Sequence, residues 1–110
     1  MNFREYTEKA SVTADFDNGV VPGPYYCAIG LAGETGELLE HIKKMARNDG
    51  GFLTDERRAK MVKEAGDVFW YLFMLLRELG IDPDEVAEAN LMKLAKRREE
   101  DTIKGEGSDR

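Results

Sequence analysis

The sequence is poor in the residues that mark several kinds of protein. Cys27 is its one cysteine, so no disulfide can form within the chain, which fits a reducing cytoplasm. With a single histidine beside that cysteine, the ligands of a zinc centre are lacking. Basic residues are outnumbered: 16 Lys and Arg stand against 22 Asp and Glu, for a formal net charge of -6. Nucleic-acid binders draw much of their affinity from Lys and Arg on phosphates, so no nucleic-acid partner is expected. The longest apolar run, Val68 to Leu76, falls well short of the roughly 20 residues that span a bilayer, and no membrane partner is expected either. The opening stretch MNFREYTEKA has no apolar core of the kind a signal peptide carries. No convincing strand pattern occurs, which leaves an all-α fold.

What is present organises itself into four helices. At 110 residues the chain holds one domain and not two, with residues 1–101 helical and 102–110 a flexible, solvated tail. The first helix is expected from about Asn2 to Asp17, with Phe3, Tyr6, Ala10 and Phe16 turned to the core. The segment NGVVPGP, residues 18–24, breaks it with two glycines and two prolines. A second helix is expected from about Tyr25 to Arg47, stopping at NDGG. Thr54 is placed to cap a third, which runs to Leu79 and ends at Gly80. Asp82 caps a fourth, with Pro83 at its first position and Glu85 set for a capping box, running to about Glu100.

Two of these helices carry acids where burial should forbid them. GETGELLEHIKKM sets Glu34 and Glu37 three apart, on one face, followed by the apolar stripe Leu38, Ile42 and Met45. KEAGDVFWYLFMLL repeats the arrangement thirty residues on, with Glu64 and Asp67 beside Val68, Leu72 and Leu75. Such pairs on a single helix usually face water or meet a lysine, and Lys43, Lys44, Lys60 and Lys63 are available. Two pairs at matching places beside apolar stripes argue for a common demand. If the helices run antiparallel, all four carboxylates converge. Like charges at close range resist ionising together, and burying them is costly unless a cation is bound. A ligand set made only of carboxylates suits Mg²⁺ first and Mn²⁺ second. A ferritin-like di-iron centre would need Glu-x-x-His motifs, and the sequence has none. His41, one turn after Glu37, reads as a surface or outer-sphere residue. Gly33, Gly36 and Gly66, each costing about 1 kcal/mol against alanine in a helix, point to close helix packing or to ligand access. Mg²⁺ is commonly completed by substrate phosphates, and Asn90, Lys93 and Arg97 in NLMKLAKRR share a helix face from which to hold them. The same basic turn also suits the negative end of a helix dipole.

These motifs resemble the MazG-like, all-α nucleoside triphosphate pyrophosphohydrolases. The family pattern is Glu-Glu-x-x-Glu on one helix and Glu-x-x-Asp on the next. LAGETGEL matches the first at Glu34 and Glu37, with Gly33 where the leading glutamate stands; EAGD matches the second through Glu64 and Asp67. NLMKLAKR is similar to the following Asn-x-x-Lys segment. The resemblance, over about residues 25–98, implies a four-helix bundle-like domain that assembles as a homodimer or homotetramer. It implies Mg²⁺-dependent cleavage of a nucleoside or deoxynucleoside triphosphate into monophosphate and pyrophosphate. Glu34, Glu37, Glu64 and Asp67 would be catalytic metal ligands, and Asn90, Lys93 and Arg97 would bind substrate. Glu40 is a candidate to position the attacking water. Phe16, Tyr25, Tyr26 and Trp70 are candidates to meet the base. The alternatives are a phosphoribosyl-ATP pyrophosphohydrolase and a non-catalytic acidic helical dimer that binds a protein partner.

Overall fold

The computed structural model describes residues 1–16 and 21–100, and the expectations for residues 17–20 and for the tail from 101 lie outside that range. Four α-helices follow one another: α1 Phe3–Ala10, α2 Gly23–Asn48, α3 Asp55–Glu78 and α4 Pro83–Glu99, with no strand among the described residues. The fold is therefore all-α, as expected. None of the helices is long and apolar enough to cross a membrane.

The most extensive contact is between α2 and α3, which form an antiparallel hairpin. Its register can be followed by position. Gly23 lies beside Glu78 and Gly30 beside Tyr71, while the Glu37 carboxylate meets that of Glu64. Successive pairs are seven residues apart on each helix, the spacing of a left-handed coiled pair. The turn between the helices is made by Gly50 and Gly51, at φ 64° and 81°, a backbone region that side chains disfavour. Thr54 then caps α3 by accepting the Arg57 N–H at 3.1 Å, as the sequence implies.

Helix α1 stops seven residues before the expected Asp17. Ser11 and Thr13 turn their hydroxyls back onto the carbonyls of Glu8 (2.7 Å) and Ala10 (3.0 Å), tightening the chain into a 3₁₀ turn over Ser11–Thr13. The indole N–H of Trp70 donates to both the Ala10 carbonyl and the Thr13 hydroxyl, which secures the early end. Phe16 then swings into the core with Cys27 and Met74, flanked by Ala10, Ala14, Trp70, Tyr71 and Leu75. Phe3, expected inside, is more than a third exposed but stacks on Phe73 at 5.3 Å.

Helix α4 is tied on through its first turn. Asp82 caps it by accepting the Asp84 N–H at 3.0 Å, as the sequence implies. Asp84 reaches across to accept the Phe3 and Arg4 N–H groups at 3.1 and 3.2 Å. These are donors that the start of α1 would otherwise leave unpaired. Arg4 pairs with Asp82. A cavity of about 360 Å³ opens beside this clasp and away from the acidic motifs.

The glycines of the acidic motifs are not sites of close packing within the chain. A Cβ at Gly33, Gly36 or Gly66 would meet nothing within 4 Å, whereas one at Gly30 would come within 2.2 Å of the Tyr71 ring. Gly36→Ala should therefore raise the melting temperature, through a helix gain of up to about 1 kcal/mol. Gly30→Ala should lower it, since overpacking costs about 1–3 kcal/mol. Thermal melts of the two variants against wild type check the contrast; a stabilised Gly30→Ala would contradict the close approach of α2 to Tyr71.

Candidate metal centre

The acidic motifs sit at one depth of the hairpin because the antiparallel register of α2 and α3 sets Glu37 beside Glu64. Glu34 and Glu37 project from α2, and Glu64 from α3. One carboxylate oxygen of each lies within 4.8 Å of those of the other two. Asp67, one turn beyond Glu64, is exposed and outside this mutually close trio. It is still near enough for its charge to act on Glu34. The structure thus brings three of the four expected acids together and leaves the fourth at the rim.

Glu34 is the most constrained of them. Its Oε2 is buried and accepts no hydrogen bond. Burial pushes its carboxyl above the ordinary glutamate range, and the charges of Glu37, Asp67 and Glu64 push it further. The neighbouring lysines do not relieve it. Lys43 is engaged with Glu40 at 2.8 Å, which holds the Glu40 carboxyl below its usual range. The basic group that does reach the trio is His41, whose Nε2 lies 3.8 Å from Glu64 Oε1. An orphaned, buried carboxylate oxygen beside two further carboxylates fits a hard divalent cation, whose preferred ligands are such oxygens.

Two cavities flank the trio. One, of about 210 Å³, is lined by Glu37, Glu40, His41, Lys44 and Glu64. The other, of about 330 Å³, is lined by Val21, Tyr26, Ile29, Gly30 and Tyr71 and is mostly apolar. Among the aromatic candidates, Phe16 is buried and makes an edge contact with Trp70, so those two rings serve the core. Tyr26 stacks on Phe16 at 5.4 Å and also faces the apolar cavity. Tyr25 is exposed. Tyr71, which follows Asp67 by one helical turn, reads from the sequence as part of the apolar stripe beside Glu64 and Asp67 and not as a candidate to meet the base. Gly30, one turn before Glu34, likewise marks where the tyrosine ring has room.

Asn90, Lys93 and Arg97 lie along α4, which packs on α1 and α3; the first two are exposed and Arg97 is half-buried.

Comparison with known proteins decides the family. The profile described as MazG nucleotide pyrophosphohydrolase domain matches residues 26–101, which include both acidic motifs and all of α3 and α4. The chain belongs to this family. It is also 36% identical over 109 residues to the Gene 37 protein of Mycobacterium phage L5, with 96% of each chain covered. No solved structure matches it. Helix α1 and Phe16 lie before the matched residues.

Ionising Glu34 opposes folding of the metal-free protein, because its carboxyl is raised in the folded state. That penalty is present at neutral pH and disappears as pH falls through the raised value. In EDTA, Glu34→Gln should melt at or above the wild-type temperature at neutral pH. The wild type should close the gap as pH falls from the raised value of the Glu34 carboxyl toward the ordinary glutamate range. Melts at several pH values check this; a Glu34→Gln protein that is less stable at neutral pH would make Glu34 an anchor of the fold instead.

Proposed function

We propose that this MazG-family protein is a Mg²⁺-dependent pyrophosphohydrolase that cleaves a nucleoside or deoxynucleoside triphosphate to the monophosphate and pyrophosphate. The observation that carries the reading is the trio of carboxylates with the buried, unbonded Glu34 oxygen. Glu34, Glu37 and Glu64 would hold the cation, with Asp67 completing the set from the rim; Mn²⁺ is an alternative occupant. When bound, the metal would polarise phosphate oxygens and lower the pKa of a bound water.

The chain's own residues do the rest. Asn90, Lys93 and Arg97 hold phosphate or sugar from α4. The apolar cavity one turn along α2 offers Tyr26, Ile29 and Tyr71 to a base. Gly33 leaves the family's leading carboxylate absent and its surroundings open. Glu40 lines the polar cavity, where Lys43 keeps it ionised and able to orient a water by accepting its hydrogen. A cytoplasmic setting suits the lone, buried cysteine.

The working form is proposed to be a homodimer or homotetramer. The apolar run Val68 to Leu76 is covered in good part by α1, through Phe3 and Tyr6 against Phe73. The uncovered apolar surface lies elsewhere, with Tyr25, Ile29, Leu91 and Met92 each about two-thirds exposed and Leu39 and Val62 more than half. The radius of gyration, 17.1 Å, exceeds the roughly 13 Å of a compact chain of this length, so the helices of one copy leave faces unpaired.

A panel of triphosphates with Mg²⁺, read separately for pyrophosphate and orthophosphate, should show pyrophosphate from at least one. Glu37→Gln should abolish it. Orthophosphate alone would indicate a phosphatase. Turnover confined to phosphoribosyl-ATP would move the substrate, and no turnover with any of them would favour a non-catalytic helical dimer. Sedimentation should give at least twice the 12.4 kDa chain mass at micromolar concentration; a monomer would contradict the assembly.

A further inference from the structure

A half-buried polar chain runs from the interhelical turn to the carboxylate trio. Asp49, the residue that ends α2, accepts two hydrogen bonds from one edge of the Arg57 guanidinium, from Nε at 2.9 Å and from Nη2 at 3.5 Å. The other arm of that guanidinium, Nη1, lies 3.1 Å from His41 Nδ1. His41 Nε2 in turn faces Glu64 Oε1 at 3.8 Å. The side chains of Asp49, Arg57 and His41 are each only 12–15% exposed, and that of Glu64 is 24% exposed. Three of these groups thus sit in one sheltered line behind the fourth.

The chemistry of the line has a direction. A guanidinium has donors and no acceptor, so the contact with His41 requires Nδ1 to be the accepting nitrogen. The remaining ring hydrogen of the neutral imidazole then sits on Nε2, which points toward Glu64. Arg57 is itself fixed at both ends, by the Asp49 carboxylate and by its own N–H in the Thr54 cap. Asp49 is held by the turn, its N–H bonded to the Met45 carbonyl at 3.1 Å. The ring can neither flip nor change tautomer without breaking the Arg57 contact. Its N–H therefore presents a fixed positive edge to one oxygen of Glu64. Outer groups of this kind orient carboxylate ligands, and losing one commonly costs roughly 10- to 100-fold in metal affinity.

We propose that Asp49, Arg57 and His41 form a positioning chain that holds Glu64 in place for a divalent cation, with Arg57 acting through His41. The inference rests on the metal-site reading above and adds three residues that lie outside the acidic motifs. It explains why a histidine, rather than another lysine, stands one turn after Glu37. A lysine there would offer a mobile point charge that neutralises Glu64 instead of aiming it.

The test uses the full chain without a histidine tag and Mn²⁺ alone as probe, followed by calorimetry. His41→Leu and Arg57→Met should each weaken Mn²⁺ binding roughly 10- to 100-fold. The double variant should be no weaker than the weaker single one, within about twofold, because both remove the same link. His41→Gln, which keeps one acceptor and one donor, should recover most of the affinity. Because His41 is the chain's one histidine, its ring ¹⁵N signals are unambiguous. They should report the Nε2–H tautomer in the metal-free wild type and lose that fixed state in Arg57→Met. Unchanged Mn²⁺ affinity in both single variants, or effects that multiply in the double variant, would overturn the positioning chain and leave the metal site standing. A wild type that binds no Mn²⁺ would overturn both. Should a variant fail to fold, the wild-type spectrum decides: an Nδ1–H tautomer contradicts the Arg57 contact on which the chain depends.

Discussion

The antiparallel packing of α2 on α3 sets like charges against one another, and much of the molecule follows from that conflict. At a seven-residue register, Glu34 and Glu37 of α2 come to the same depth as Glu64 of α3. Helix pairing fixes the backbone, so the carboxylates cannot retreat far. The result is a site whose charges oppose folding until something positive joins them. Glu34 bears the largest share, with a buried oxygen that nothing among the described residues bonds and a carboxyl raised by burial and by its neighbours. Natural sequences commonly give up stability in this way where a function requires it.

The surrounding structure is arranged to tolerate the conflict rather than to remove it. The core lies toward the far end of the hairpin, where Phe16, Cys27 and Met74 are buried and Trp70 secures the end of α1. The turn end is held by Asp49 and Arg57. Between these two anchored ends the acids have open space at Gly33, Gly36 and Gly66 and a cavity on either side. Stability and chemistry are thus carried by different stretches of the same two helices. The α1–α4 clasp, built from Asp84 on the start of α1, belongs to the first category.

Much of this was legible in the sequence, and the reasons differ by element. The caps at Thr54 and Asp82 and the stop at Gly80 are local chemistry, so they were readable in place. The meeting of Glu34, Glu37 and Glu64 was legible from two acid pairs at matching places on antiparallel helices, but the same reasoning placed Asp67 with them, and the structure leaves it at the rim. The end of α1 was not readable: apolar spacing continues to Phe16, while the helix is ended by Ser11 and Thr13 and by an indole sixty residues away. Tyr71 was hidden for a similar reason, since its place beside Gly30 is set by the register of two helices and not by either one. His41 was legible as an outer residue, but its orientation depends on Arg57, which arrives from the next helix. Long-range partners, not local propensity, account for what was missed.

The account stands on the claim that the carboxylate trio exists to hold a divalent cation. A crystal of the protein grown with Mn²⁺ and measured at the manganese absorption edge tests it most directly. An anomalous peak bound by Glu34, Glu37 and Glu64, with the buried Glu34 oxygen among its ligands at about 2.0–2.6 Å, is the predicted result. Manganese bound only elsewhere, with the three carboxylates ion-paired to lysines or arginines, would contradict it.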